Sequence, residues 1–277
     1  MISSLNIHVA LKQGKSYLKD AYVTQPFRIV PVGQYRNDSA AYLMTMSSSP
    51  GILDGDDYRI SIQVDAQAQL QLQSQSYQRL YHMEGSAHQQ MTIKLDDQAA
   101  FSYVPHPVVP HENASFYSTN TVHLSDDCDF ILGEILTCGR KMSGEIFRYR
   151  HVQNLVEIFH KNRLIFKDNI LLQPPSTNLS ALGLFEGYTH QGMLCYINTH
   201  ALPLQDLIES LSERYREIEG IAFGISELQC NGFAIRVLGY GGEQLYKIFQ
   251  EVQSVIWDQY ILPSKKTNTA LLYSSNH

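Results

Sequence analysis

From Tyr58 to Ser76 the chain alternates without interruption. Even positions read Tyr, Ile, Ile, Val, Ala, Ala, Leu, Leu, Ser, Ser; odd positions read Arg, Ser, Gln, Asp and five glutamines. A period of two places one set of side chains on each face of a strand, so one face is buried and the other wet. Nineteen residues exceed an ordinary strand, and "VDAQA" at the centre reads as a tight turn between two shorter ones.

That unit recurs. "IQVDAQAQLQL" (62–72), "IKLDDQAAFSY" (93–103) and "VHLSDDCDFIL" (122–132) each carry an apolar run, a short acidic or polar turn, a small residue and a second apolar run. Val64, Leu95 and Leu124 superpose, as do Leu70, Phe101 and Phe130. "EIFHKNRLIF" (157–166) is a looser fourth copy. Steps of about 30 residues are those of stacked supersecondary units. The reading is a mainly β (α+β) chain of stacked strand pairs, solenoid-like or two-layer, against a plain β-sandwich with similar hairpins.

The C-terminal part changes period. Leu204, Leu207, Ile208, Leu211, Tyr215 and Ile218 follow helical spacing, as do Leu245, Ile248, Phe249, Val252 and Ile256. Two amphipathic helices are expected near 204–218 and 243–258, with Pro203 in the first turn and Gly220 at the stop. Between them a hairpin is expected, with Asn231-Gly232 as its type I′ turn. "LGYGGEQ" (238–244) is read as the turn that starts the second helix. Residues 1–262 are expected to form one β-rich domain and 263–277 a flexible polar tail.

Composition removes several classes. The net charge is −6, the reverse of the basic face that nucleic acid selects. No apolar stretch is long enough to cross a membrane as a helix, and no signal peptide is read at the N-terminus. Cys128, Cys138, Cys195 and Cys230 lie far apart, which suits reduced thiols in a cytoplasmic protein. No Walker A, G-x-S-x-G or H-E-x-x-H pattern is present.

Some residues invite chemistry. "YVPHPVVPHENASF" (103–116) packs Pro105, Pro107 and Pro110 beside His106, His111 and Glu112. Proline has no N–H for a ladder, so the strand must become an edge or turn a corner. The histidines are five apart, hence on opposite strand faces, and share a metal only if the bend reorients one. Such a site would make a metal-dependent β-fold hydrolase of His106, His111 and Glu112. A carbohydrate- or protein-binding β-solenoid would instead show an aromatic row on one exposed face. Asp54, Asp56 and Asp57 fit an Asx turn or an ion contact. "CGRKMSGEIFRYR" (138–150) reads as sheet with a salt-bridged or partner-facing side, and Glu186 lies in a loop against the core.

Five segments in one order are similar to the urease accessory protein family UreD, called UreH in some organisms. They are the P-G-x-x-x-G-D turn (Pro50, Gly51, Gly55, Asp56), the Ser74-Gln75 step and the proline run Pro105, Pro107, Val109, Pro110, His111. The Gly139-Arg140 pair ahead of Glu145 and Phe147 follows, and then "GFAIRVLG" (232–239). The resemblance spans about residues 20–255, with His111 where the family usually has an aromatic residue. It implies a non-enzymatic scaffold that binds a UreF-like protein, reaches a UreG-like GTPase through it, and docks on the urease apoprotein. It also implies no tightly bound cofactor, but nickel in transit along an internal polar path of weak ligands. Path candidates are Asp54, Asp56, Glu186, His106, His111 and Glu112.

Overall fold

The computed structural model describes residues 2–200 and 202–263. The polar tail expected over 263–277 lies, beyond Pro263, outside the described residues. The strands are β1 (Ile2–Lys12), β2 (Lys15–Val23), β3 (Phe27–Pro31), β4 (Ala41–Ser47), β5 (Asp57–Val64), β6 (Gln69–Ser74), β7 (Gln78–Leu80), β8 (Ala87–Leu95) and β9 (Ala100–Tyr103). They continue as β10 (Val108–Pro110), β11 (Ser115–Leu124), β12 (Asp129–Thr137), β13 (His151–His160), β14 (Arg163–Leu172), β15 (His190–Asn198), β16 (Ile221–Leu228) and β17 (Gly232–Gly239). The helices are α1 (Gln205–Arg216) and α2 (Gly242–Ile256).

Two sheets result. The first runs β14-β13-β11-β8-β5-β1-β2, and the second runs β16-β17-β15-β12-β9-β6-β4-β3 with β7 and β10 beside it. Each repeat puts its first strand in one sheet and its second strand in the other. The turns that make this crossing share one device. Gln67, Gln98 and Asp127 occupy the same repeat position, and all three have positive φ (62°, 62° and 56°). A single left-handed residue bends the chain out of its sheet, and the fully buried Ala68, Ala99 or Cys128 then fits in the narrow edge between layers. Successive turns bond to each other: Gln67 N–H donates to Asp97 O at 2.9 Å and Gln98 N–H to Asp126 O at 2.8 Å. The central coils are therefore solenoid-like and the whole is two-layered.

The fourth copy departs from this. Lys161 and Asn162 both have positive φ, the pattern of a type I′ turn, and β13 pairs antiparallel with β14 in one sheet. Two left-handed residues keep the return in plane where one sends it across. The C-terminal hairpin also differs from expectation. Leu228 pairs with Gly232, so three residues form the loop, with Asn231 left-handed at its end.

Parallel registers stack like on like. Ile7, Ile62, Ile93, Val122 and Ile158 form one buried rung across the first sheet. Leu70, Phe101, Phe130 and Ile197 form one across the second. The second sheet is covered on both faces. Its other side takes Ile131, Ile135, Leu194 and Tyr196 against Phe249, Val252 and Ile256 of α2. This explains why β15 is buried along nearly its whole length. Helix α2 runs on into a π-helical turn, Trp257–Ile261, whose Trp257 indole N–H donates to the Tyr42 hydroxyl at 3.1 Å.

The prolines make a corner. Strand β9 ends at Tyr103, and β10 resumes in a different place, parallel to β7 and touching β12 at Val108. Pro107 O accepts from Gln78 N–H at 3.1 Å, so the break is stitched to β7. The segment 138–150, read as sheet from the sequence, is instead a 3₁₀ turn at Lys141–Ser143 within a loop. Gly139 (φ 119°) explains why: a Cβ there would lie 2.9 Å from both Glu145 O and Pro110 O, so the loop folds back too closely for a strand.

Candidate functional site: two cavities between the sheets

The ladder between β6 and β9 stops at Leu72–Tyr103, after which β9 leaves for the proline corner. Space opens where the second sheet splits. An outer cavity of about 130 Å³ is lined by Thr45, Ser47, Tyr58, Ser74, Gln75 and Gln89 among others. An inner cavity of about 80 Å³ is lined by Ser118, Glu134, Gln153, Asn154, Gln191 and Met193 among others. Each far exceeds the roughly 10–15 Å³ that admits one water. Gln78, Pro105 and His106 line both.

The inner cavity holds a carboxyl. Glu134 lies on β12 with the inward parity of Phe130 and Leu132. It accepts from Asn120 Nδ2 at 2.9 Å and from Asn154 Nδ2. Burial, opposed by the Asn154 bond and helped by the charge of Asp168, pushes its pKa up to about 8. Asp168 on β14 is bonded by Arg236 on β17, which ties the two sheets together beyond the cavity. Asn120 Oδ1, Asp168 Oδ2 and Gln191 Nε2 are buried without a protein partner among the described residues. Buried polar atoms in that state call for water or an ion.

The sequence candidates fall in several places. His106 lines both cavities. Its backbone N–H donates to Ser74 Oγ at 2.8 Å, its Nδ1 lies 2.9 Å from the same oxygen, and its ring stacks on Tyr246 at 4.3 Å. His111 instead packs on Tyr81 at 4.7 Å, and burial and the Arg140 charge lower its pKa. Glu112 N–H donates to Glu145 Oε2 at 3.1 Å, and Arg140 binds the same carboxylate through two nitrogens. The family-motif residues Pro110, Gly139, Arg140 and Glu145 thus meet to fix one corner. Among the described residues no three His, Cys, Asp or Glu side chains are placed to hold a metal ion, and His106 and His111 do not face each other's partners.

Asp54 caps Glu84 and Gly85 N–H groups, and Asp56 Oδ2 accepts Leu53 N–H at 2.9 Å next to the left-handed Gly55. Both carboxylates shape turns beside the outer cavity rather than line it. Asp56→Ala is expected to lower stability by about 0.5–2 kcal/mol, the range of a lost cap, as read from urea unfolding. Nickel delivery falling while stability holds would put Asp56 on an ion's route instead. Glu186, with φ 50°, accepts Gly183 N–H at 2.8 Å in an exposed loop. Gln75 N–H donates to Thr45 O at the outer rim. The outer face of the first sheet does carry an aromatic row, but His88, Tyr117 and His151 stack on one another at 5.1 and 4.3 Å rather than offer an open platform.

Glu134, Asn120 and Asn154 were missed by the sequence reading. Their signal was a polar residue at inward parity inside an apolar run, as in "ILGEILT".

Fold and cavities define a two-layer β protein whose apolar core holds a buried carboxyl–amide cluster beside a cavity between the sheets. The family model described as UreD urease accessory protein matches residues 2–268. A urease accessory protein UreD of Flavobacterium johnsoniae is 50% identical over 93% of this chain and 93% of its own length. One from Acetivibrio thermocellus is 34% identical over 92% of this chain and 97% of its length, and one from Haemophilus influenzae 32% over 91% and 97%. The chain belongs to the UreD urease accessory protein family.

Proposed function

We propose that this chain is a non-catalytic, cytoplasmic scaffold of urease maturation. With UreF- and UreG-like partners it docks on the urease apoprotein, and nickel crosses its interior on the way to the urease active site. The adjoining cavities between the sheets carry this reading. Their hydroxyl, amide, imidazole and single carboxyl groups include no cysteine thiol. Oxygen and nitrogen donors met in sequence suit a divalent cation that must leave again, whereas thiolates would retain softer ions.

The test is a plug. Ser118 is buried and faces the inner cavity, so Ser118→Phe fills it. Thr45→Phe does the same in the outer cavity. Each variant is co-expressed with the partners and urease. The expected result is an intact complex with urease nickel at the level seen without this chain. Unchanged nickel with both plugs would overturn the passage.

A further inference from the structure

Among the described residues His106 is the only histidine that lines either cavity, and it lines both. Its mounting is unusual. Pro105 and Pro107 flank it, so φ is fixed on each side and His106, as a pre-proline residue, is held extended. The backbone cannot give way there, and motion is left to the ring. Two contacts hold the ring: Ser74 Oγ at 2.9 Å from Nδ1, and the face of Tyr246 at 4.3 Å. Ser74 Oγ accepts the His106 backbone N–H and keeps a second lone pair and its own O–H for Nδ1. In the tautomer that carries its proton on Nε2, the Nδ1 lone pair accepts the Ser74 O–H.

We propose that His106 is the gate of the passage, its ring closing the junction of the two cavities while Ser74 holds Nδ1, and opening when a divalent cation takes that nitrogen from the serine. The proposal rests on the passage reading above. Opening exchanges one hydroxyl hydrogen bond for one metal–nitrogen bond, and leaving restores the first. An imidazole suits nickel, and a single imidazole held by a competing hydroxyl binds it weakly enough for release. Tyr77 lies 6.0 Å from the ring, Gln78 lines both cavities, and Glu243 on α2 is the charged group nearest in effect. Helix α2 is seated on the same corner: a Cβ at Gly242 would lie 3.3 Å from Pro107 Cγ and 3.3 Å from the Tyr77 hydroxyl. The helix that carries Tyr246 is thus fitted to the prolines that carry His106.

The experiment uses the complex with the UreF-like partner and compares His106→Phe, His106→Ala and Ser118→Phe. His106→Phe keeps a flat plug and removes the nitrogen. It is expected to form the complex normally and to lower nickel per urease about tenfold, the lower range for losing a group that orients a metal. His106→Ala removes plug and ligand together, so nickel chloride in excess should still reach urease, while competing zinc chloride now enters urease as readily. Isothermal titration with nickel chloride should show a weak site on the parent complex that both His106 variants lose. Normal nickel loading by His106→Phe, with Ser118→Phe blocking, would overturn the gate and leave the passage standing. Normal loading by Ser118→Phe and Thr45→Phe would overturn both. Should His106→Phe fail to assemble, His106→Leu takes its place, with the same outcomes.

Discussion

Phe249→Ala should lower stability by about 3–5 kcal/mol, the cost of emptying a buried aromatic site. Phe249 is fully buried on α2 and its ring rests on two glycines of the second sheet. A Cβ at Gly192 would lie 2.8 Å from Cζ, and one at Gly133 would lie 3.4 Å from Cδ2. Strands β12 and β15 therefore form a shallow seat, flanked by Val104 and Val237 and with no side chain of its own at either glycine to fill the space. Against a typical total of about 5–15 kcal/mol the loss is large. Urea unfolding followed by circular dichroism measures it, with an unchanged denaturant slope. The reciprocal change, Gly192→Ala, should cost about 1–3 kcal/mol by overpacking the same contact. A cost below about 1 kcal/mol for Phe249→Ala would mean that α2 is not held to the sheet through this ring.

Glu134→Gln should make the protein more stable at alkaline pH and change little in acid. The Glu134 pKa is raised from the ordinary carboxylate value to about 8, chiefly by burial. Between about pH 4.5 and 8 the unfolded chain has lost this proton and the folded one keeps it. The folded state binds more protons there, so stability falls as pH rises through that window and the full penalty is present above it. The amide of glutamine stays neutral throughout and still accepts through its oxygen. The difference in stability between variant and parent should thus grow by a few kcal/mol from pH 5 to pH 9, measured by thermal unfolding at each pH. A difference that does not change with pH would show that Glu134 is ionised in the folded protein at both.

Period two, the repeat and the helical ends were legible because each reports burial directly. The crossing of the repeats between sheets was not. It depends on one left-handed residue per turn, and glutamine or aspartate at Gln67, Gln98 and Asp127 carries no strong preference for that conformation. "HKNR" at 160–163 looked like the other turns yet folds back in plane, because Lys161 and Asn162 are both left-handed. The proline corner was legible from the missing N–H groups alone. What it creates was not: the cavities arise from where β6 and β9 part, a tertiary fact. Asp56 drew attention as an acid in a glycine turn, and its hydrogen bond to Leu53 N–H shows how local its work is. Glu134 looked like an ordinary residue of an apolar strand, and only the partner strands supply the Asn120 and Asn154 amides from which it accepts.

The rung from Ile7 through Ile62, Ile93 and Val122 to Ile158 has a consequence for how the chain reaches this state. Its members come from more than half the chain, and no two neighbours on it are close in sequence. Loops must close before any of them gains a contact, so formation is slow by the rule that relates rate to sequence separation. β1 pairs in parallel with β5, which is synthesised some 50 residues later. Until then its apolar face has only antiparallel β2 beside it. A nascent chain of this design spends its early life with parallel edges unfilled, the condition in which strands of separate molecules find each other.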